Sequence, residues 1–347
     1  MADVDLSPRL PRSPGEPDSQ PDMGLADEAS AVDVSVLVVA YNSAALIEAC
    51  IASVAPACTA QSFEILLIDN GDGSTEALVR DRYPSVRIVP SRGNIGFAGG
   101  NNALAAHARG RYLLLLNPDM KLFSGAIDAL FEGVAAHPEA AAWGGVTVDE
   151  QGRPDTGNAI PKPSLGEFTQ AALGRSSAAN LPPERLERDG EVELLMGGFV
   201  MFARSAWDAA RGLDERYFLY CEEVDLFHRL TAMGHTFWRI AAARGHHKTG
   251  HGEGSSPMRV LYHAAGTAEF TMTHWSRPAA ALGKALLWVA ATERYLAGRV
   301  FGRWVAHLQT REEAYRLVAC HPGLWWQGYH RERGLLAQLK RRGGAPP

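Results

Sequence analysis

The sequence predicts an α/β fold with a mostly parallel central sheet flanked by helices. Short apolar runs alternate with stretches of helical periodicity, and the clearest runs are Val34–Ala40, Phe63–Ile68 and Leu113–Leu116. Such runs are too short for a lone helix and too apolar for an exposed loop, which is typical of strands buried on both faces. Strand, helix and strand at this spacing indicate right-handed βαβ units with parallel strands.

Composition excludes several classes of protein. The 34 basic and 39 acidic residues give a net charge of −5, so no basic field argues for nucleic-acid binding. The four cysteines lack metal-ligand spacing, which is typical of reduced thiols in a cytoplasmic protein. Neither a signal sequence nor a long uncharged apolar run occurs, so no membrane-spanning helix is predicted. Residues 1–32, rich in Pro, Asp, Glu and Ser, predict a disordered leader.

Polar residues follow the first two strands. The first strand runs into Tyr41 and Asn42, and Ser43 is predicted as the N-cap of the next helix. The second strand runs directly into Asp69, and a third short strand is predicted over Val86–Val89. Because the strands are parallel, their carboxyl ends should lie side by side along one edge of the sheet.

A glycine-rich segment then opens a helix between residues 93 and 102. Glycine lets a backbone approach a ligand closely, and the amides of a helix N-terminus suit a phosphate group. Asn94, Gly96 and Asn101 are its predicted ligand contacts. The segment follows the third strand and lacks G-x-G-x-x-G, so it is not the dinucleotide fingerprint, and a tight turn is the alternative.

Asn117, Pro118 and Asp119 follow the leucine run at once, which places a carboxylate at the carboxyl end of a central strand. Open α/β sheets bind ligands at that edge. A simple turn is the alternative, because Asn-Pro and Asp are common turn formers. Three polar clusters on one edge, with a glycine-rich loop between them, predict a nucleotide site.

The second half of the chain carries a group of acids. Residues 150–192 predict a long irregular insertion, and Gly197 and Gly198 form a small-residue kink within an apolar strand. Glu222, Glu223 and Asp225 then open an amphipathic helix. Acids at this end favour the helix macrodipole. Alternatively, packed carboxylates raise one another's pKa and so favour a general base.

Histidines and aromatic residues are the notable features of the chain from residue 246 onward. His246, His247 and His251 lie among glycines in a predicted mobile loop, and neutral imidazole is a common ligand of divalent metals. From about residue 259 the pattern is helical, and Trp325 and Trp326 stand near a basic end. These helices are predicted either to lie on a bilayer surface or to pack against the domain or a second subunit.

With these residues in place, the chain resembles family 2 glycosyltransferases of the bacterial rhamnosyltransferase-like branch, which have a GT-A fold. The resemblance covers about residues 34–256. It rests on ordered motifs: V-V-A-Y-N-S, L-I-D-N, G-N-I-G-F-A-G-G-N-N, L-L-L-N-P-D, G-L-D-E-R-Y-F-L-Y-C-E-E-V-D-L and the histidine loop.

The resemblance implies an inverting transferase that uses a nucleotide-sugar and a divalent metal, Mn²⁺ or Mg²⁺. The implied nucleotide-sugar contacts are Ala40, Tyr41, Asn42, Asp69, Asn94, Gly96, Asn101, Asn117 and Asp119. Asp119, where the fold usually has its Asp-x-Asp motif, and His247 would bind the metal, with His246 and His251 as alternatives. The family usually has Glu-Asp where this chain has Glu222-Glu223, so Glu223 would be the base and Glu222 its competitor. Asp225 would contact the acceptor or the helix, and Gly197 and Gly198 the acceptor.

The resemblance also implies the domains and partners. A glycosyltransferase domain would span residues 33–258, followed by a helical region over 259–347. The donor would be dTDP-rhamnose or a UDP-sugar, and the acceptor a cell-envelope glycan or a lipid-linked sugar. The protein is expected to be cytoplasmic, and the Trp and basic residues of the C-terminal region suggest contact with the cytoplasmic face of the inner membrane as a further hypothesis. Two alternatives stay open: a sugar nucleotidyltransferase, whose usual signature after the first strand is absent, and a nucleotide-sugar binder without turnover.

Overall fold

We describe a computed structural model over residues 32–149, 162–175, 188–248 and 256–341. The predicted leader up to residue 31, His251 and much of the predicted insertion lie outside these residues. The chain that follows Ala31 forms one compact unit, in which the C-terminal helices belong with the sheet. The domain boundary near residue 259 therefore stays a prediction.

The described elements alternate as the sequence predicts. The strands are β1 (Val34–Ala40), β2 (Phe63–Asp69), β3 (Arg87–Ile88), β4 (Tyr112–Leu116), β5 (Met120–Leu122), β6 (Ala142–Val148), β7 (Gly190–Glu191), β8 (Phe199–Ala203) and β9 (Phe237–His247). The α-helices are α1 (Ile47–Ala57), α2 (Ser74–Arg82), α3 (Gly96–His107), α4 (Ala126–Ala136), α5 (Leu165–Ala172), α6 (Arg204–Ala209), α7 (Glu222–Ala232), α8 (Pro257–His274), α9 (Arg277–Phe301), α10 (Ala306–Cys320) and α11 (Leu335–Arg341).

One sheet, in the order β3-β2-β1-β4-β8-β6-β9-β5, forms the centre, and β7 pairs with β9. Strands β3, β2, β1 and β4 are parallel, which confirms the predicted βαβ units. Beyond β4 the sheet is mixed, because β8 runs antiparallel to β4 and β6. All seven residues of β1 are buried, since hydrophobic clusters cover both faces of the sheet. An α/β fold with a central sheet and C-terminal helices is thus confirmed.

Two local predictions near the ends of strands are wrong. Helix α1 begins at Ile47, and Ser43 does not cap it, because the Ser43 hydroxyl bonds within the turn to the backbone of Tyr41. His246 and His247 lie in β9 rather than in the predicted loop, because β9 extends through His247 and pairs there with β5.

The described part of the predicted irregular insertion is partly regular. Helix α5 lies within it, begun by a capping box in which Ser164 and Glu167 exchange hydrogen bonds. The helix packs on α9, where a Cβ at Gly283 would lie 3.3 Å from the Phe168 ring. The Phe168 ring centroid also lies 5.5 Å from that of Trp275, which follows α8. Segment 165–172 is thus ordered by the C-terminal helices, which sequence patterning alone did not indicate.

The C-terminal helices cover the sheet and leave one face outward. Trp325 is completely buried and its indole nitrogen donates to the carbonyl of Val318 at 3.0 Å, so this indole does not face a bilayer as the sequence suggested. Residues Leu282, Val289, Leu296 and Val300 of α9 are instead exposed. In the described part of the chain, none of the helices combines the length and apolarity that a bilayer crossing needs.

Candidate functional site

The predicted polar clusters meet at the carboxyl edge of the parallel strands. Ala40 ends β1 and accepts a hydrogen bond from the backbone N–H of Asn70 at 2.8 Å, which joins the turns after β1 and β2. Tyr41 is exposed, and Asn42 has a left-handed backbone with φ of 51°. Gly71 lies against it, since a Cβ there would be 2.6 Å from the Asn42 side-chain oxygen. The edge therefore has a closely fitted backbone beside an exposed aromatic ring.

Asp69 is buried at the end of β2. Its two carboxylate oxygens accept hydrogen bonds from the backbone N–H groups of Gly71, at 2.8 Å, and Glu76, at 3.0 Å. These bonds fix the turn and satisfy a donor at the start of α2. A contact between Asp69 and a nucleotide base stays a prediction.

The glycine-rich segment reaches the same edge through the N-terminus of α3. Asn94 accepts a hydrogen bond from the N–H of Gly96 at 3.0 Å, and the Asn70 side chain donates to the Gly96 carbonyl at 2.9 Å. Gly96 has φ of 78°, a conformation that favours glycine. Asn101 is buried and donates to the Phe97 carbonyl at 3.0 Å, so its amide nitrogen serves the helix itself.

Asn117, Pro118 and Asp119 form a turn that places the Asp119 carboxylate just past the end of β4, and its role in ligand binding stays a prediction. The N–H of Met120 donates to the Asn117 carbonyl at 3.1 Å and closes the turn. The N–H of Asn117 donates to the carbonyl of Gly198 at 3.0 Å. Gly197 and Gly198, predicted as a kink within a strand, instead form a turn just before β8, so they lie beside the carboxyl end of β4.

Asp119 and His247 face each other, with 3.2 Å between the carboxylate Oδ2 and the imidazole Nε2. A carboxylate oxygen suits Mn²⁺ or Mg²⁺, and a neutral imidazole nitrogen is a common ligand of metals in general. Over the described ranges there is no group of three or more His, Cys, Asp or Glu side chains that could hold a metal. His246 precedes His247 in a strand, so its ring points to the opposite face.

Glu222 and Glu223 are buried at the start of α7, with 4% and 8% of their surface exposed. One oxygen of each, Oε2, has no hydrogen-bond partner among the described residues. Burial raises the pKa of both carboxyls. The charge of Glu223 raises the pKa of Glu222 further, whereas a hydrogen bond from Glu222 lowers that of Glu223. The pKa of Glu222 is therefore raised well above its usual range, and that of Glu223 is raised as well.

Asp225 is 1% exposed and bonds within the fold. It accepts from the Arg229 guanidinium at 2.7 Å and from the His274 imidazole at 2.7 Å. Burial alone would raise the pKa of Asp225, but the hydrogen bonds and charges of His274 and Arg229 lower it overall. Arg229 also donates to the carbonyls of Ala210 and Gly212. Asp225 thus contacts Arg229 of its own helix and His274 of α8, and its role in the site stays a prediction.

Two tyrosines that the sequence did not indicate as site residues lie near this site. Tyr262 on α8 is 1% exposed, and its hydroxyl has no hydrogen-bond partner among the residues that the structure describes. The ring centroid of Tyr329 lies 6.4 Å from that of Tyr262, and the Tyr329 hydroxyl donates to the Leu219 carbonyl. Buried aromatic residues serve core packing in general, so no local signal separated Tyr262 on α8 from Tyr329 in the turn before α11.

Comparisons with known proteins identify a family and related sequences. Residues 35–208 match the model of glycosyl transferase family 2. An N-acetylglucosaminyl-diphospho-decaprenol L-rhamnosyltransferase of Mycobacterium tuberculosis is 31% identical over 246 residues, covering 65% of this chain and 79% of that protein. The rhamnosyltransferase WbbL of Escherichia coli is 24% identical over 198 residues, covering 55% of this chain and 75% of WbbL.

Solved structures show the same fold. A mannosyltransferase from Pyrobaculum calidifontis in complex with GDP-Man and Mn²⁺ aligns with a TM-score of 0.51 at 14% identity, covering 90% of this chain and 89% of that chain. GalNAc-T7 with UDP, GalNAc and Mn²⁺ aligns with a TM-score of 0.51 at 13% identity, covering 85% of this chain and 57% of that chain. The GT-A fold predicted from the motifs is confirmed.

Proposed function

Because the chain belongs to glycosyl transferase family 2, we propose that it is an inverting, metal-dependent enzyme that transfers a sugar to a cell-envelope glycan or lipid-linked acceptor. The observation that carries this proposal is the buried Glu222–Glu223 pair, whose free carboxyl oxygens have no structural partner among the described residues. A carboxylate with a raised pKa is suited to accept a proton from an acceptor hydroxyl.

In this proposal Glu223 is the general base and Glu222 holds a proton. Burial raises the pKa of Glu223, and hydrogen bonds from its backbone N–H and from Glu222 oppose that increase. Glu223 takes the proton of the acceptor hydroxyl while the hydroxyl oxygen attacks the anomeric carbon and the nucleoside diphosphate leaves from the opposite face. One displacement inverts the configuration at that carbon, so no covalent intermediate is required.

Asp119 and His247 would hold the divalent metal, which supplies Lewis-acid stabilisation of the departing diphosphate. Their donor atoms already face each other at 3.2 Å. The N-terminal amides of α3 would contact the same phosphates. Tyr41, Asn42 and Asp69 would line the nucleotide pocket, and the remaining predicted contacts with the donor and the acceptor are Ala40, Asn94, Gly96, Asn101, Asn117, Gly197 and Gly198.

Rhamnose is the favoured sugar, because two relatives are described as rhamnosyltransferases. The mycobacterial relative is named for a sugar carried on diphospho-decaprenol, which supports a lipid-linked acceptor. The favoured donor is therefore dTDP-rhamnose, and a UDP-sugar is the alternative.

A lipid-linked acceptor is reached at a bilayer, and the exposed face of α9 fits such a surface. Leu282, Val289, Leu296 and Val300 recur at helical spacing on that face. Exposed Trp304 extends it past the helix end, with the guanidinium of Arg303 3.6 Å from its ring centroid. Apolar side chains, an indole and flanking basic residues suit an anionic lipid surface.

The lipid contact is tested with vesicles of neutral or anionic phospholipid. Wild-type protein should sediment with anionic vesicles, and a Leu296→Glu, Val300→Glu variant should not. Met233→Glu is the control, because Met233 is also exposed but lies at the end of α7. The contrary result is a wild-type protein that fails to sediment and dimerises with rising concentration, while the Leu296→Glu, Val300→Glu variant stays monomeric. That result would mean that a second copy of the chain, rather than a bilayer, occupies the exposed face of α9.

A calorimetric donor screen tests the proposed function. Wild-type protein is titrated with dTDP-rhamnose and UDP-sugars in the presence of Mn²⁺ or Mg²⁺, and Asp119→Ala is titrated alongside. We expect metal-dependent binding of one donor that is weakened in the variant. Binding of no nucleotide-sugar with either metal would contradict the proposal, and binding without any sugar transfer would favour the non-catalytic alternative.

A further inference from the structure

The two glutamates at the start of α7 follow an unusual turn. Tyr220 and Cys221, the residues immediately before Glu222, both have left-handed backbones, with φ of 66° and 70°. Non-glycine residues adopt this conformation at a cost in free energy and keep it only where surrounding contacts impose it. The direction in which Glu222 and Glu223 leave the turn therefore depends on what holds residues 218–221.

Contacts to three successive carbonyls hold this turn. The Phe218 carbonyl accepts from the N–H of Phe97 at the start of α3, at 2.9 Å. The Leu219 carbonyl accepts from the hydroxyl of Tyr329. The Tyr220 carbonyl packs on Gly266 of α8, where a Cβ would lie only 2.4 Å from its oxygen. Two of the three contacts therefore come from C-terminal residues beyond the segment that the family model matches.

Tyr329 is itself firmly placed. It is 7% exposed, and its backbone N–H donates to the buried carboxylate of Glu269 on α8 at 2.9 Å. Gly328 precedes it with φ of 53°, and a Cβ there would lie 2.4 Å from the same carboxylate. The Tyr329 hydroxyl thus reaches the turn from a segment that is tied to α8.

We propose that Tyr329 and Gly266 are positioning residues, so that the C-terminal region completes the catalytic unit by fixing the turn that presents Glu222 and Glu223. This inference rests on the proposed role of Glu223. The C-terminal helices then serve catalysis directly, in addition to any contact with a lipid surface.

The first test is Tyr329→Phe, which removes only the hydroxyl. We expect kcat to fall about 10- to 100-fold, since small displacements of a catalytic group have effects of this size. The KM for the donor and its calorimetric affinity should stay within about twofold, because Tyr329 contacts the Leu219 carbonyl, whereas α3 contacts the turn through the Phe218 carbonyl. The acid limb of the kcat profile should also shift, which a loss of folded protein alone would not produce. Tyr315→Phe, on α10 beside Arg294, is the control.

The second test is Gly266→Ala, whose methyl group would press on the Tyr220 carbonyl, with Gly323→Ala as the control because nothing lies within 4 Å of a Cβ there. We expect the same loss of kcat with donor affinity retained. Wild-type kcat and an unshifted pH profile in Tyr329→Phe would overturn the positioning role, even if Gly266→Ala fails to fold. If wild-type protein transfers no sugar, the proposed function itself fails, which distinguishes the two outcomes.

Discussion

The imidazole of His247 lies 3.2 Å from the carboxylate of Asp119, although the two residues are far apart in sequence. Strand pairing brings them together, because Met120 is the register partner of His247 in the β5–β9 ladder. The backbone N–H of Lys248 also donates to the Asp119 carbonyl at 3.1 Å. The turn after β4 and the end of β9 therefore form one fixed structure, which has donor atoms suited to a divalent cation.

Replacing either member of this pair should weaken metal-dependent donor binding. We expect Asp119→Ala and His247→Ala to lower the affinity for the nucleotide-sugar about 10- to 100-fold in Mn²⁺, by analogy with the loss of other metal-site groups. His246→Ala is the matched control, because the neighbouring ring points to the other face of β9. Equal losses in all three variants would argue against a metal site at Asp119 and His247. Isothermal titration calorimetry makes the measurement.

The acid limb of the pH–rate profile should report a pKa above that of an ordinary glutamate. Burial raises the pKa of Glu223, so protonation should reduce kcat/KM at a pH higher than the usual value near 4.5. The limb should persist in Glu222→Gln, because the amide can still donate to the Glu223 carboxylate. A pH–rate profile of both proteins checks this, and a limb at an ordinary glutamate pKa would contradict the proposed role of Glu223.

The free energy of unfolding of Glu222→Gln should depend less on pH than that of the wild-type protein. The pKa of Glu222 is higher in the folded than in the unfolded protein, so its contribution to stability is fully present below about 4.5 and is lost as the pH rises through the folded value. Glu222→Gln removes that loss. Its free energy of unfolding should therefore exceed that of wild type at neutral pH, and the difference should shrink in acid. Urea denaturation at several pH values tests this, and a difference that is constant with pH would contradict it.

Asp225→Asn should destabilise the fold. The substitution leaves Arg229 and His274 without their buried carboxylate, and breaking such a pair costs roughly 3–5 kcal/mol. Asp214→Asn is the control, because its partner Arg216 is largely exposed and such pairs contribute under about 1 kcal/mol. Denaturant titration measures the free energy of unfolding of both variants. Equal decreases would show that the Asp225 pairs stabilise the fold no more than an exposed ion pair does.

The parallel half of the sheet was predictable from the sequence because its signals are local. Each of β1, β2 and β4 is an apolar run that ends in a polar turn, and each was correctly predicted as a strand. A helix follows the turn after β1 and after β2, whereas β5 follows the turn after β4. Asp119 and Glu223 could be chosen as site candidates for the same reason, since they follow a strand and begin a helix. The pairing of Asp119 with His247 could not be derived this way, because it depends on an antiparallel ladder formed by β5, which has three residues.

The contact of Tyr329 with the turn before α7 could not be predicted from the sequence, for a different reason. Tyr329 acts through its hydroxyl on a carbonyl more than a hundred positions earlier, and no local pattern reports such a contact. Trp325 and Trp326 suggested a surface role because aromatic residues near basic ones fit both a bilayer and a core. Packing decided between these alternatives for Trp325, which is buried.

The central claim is that Glu223 is the base of a sugar transfer, and it is tested most directly with Glu223→Gln. Transfer of the sugar from the donor found by calorimetry should fall about 10²- to 10⁴-fold, the usual contribution of a general base. Donor affinity should stay as in wild type, and Glu222→Gln, one residue away, should keep most of its activity. Wild-type rates of transfer in Glu223→Gln would contradict the claim.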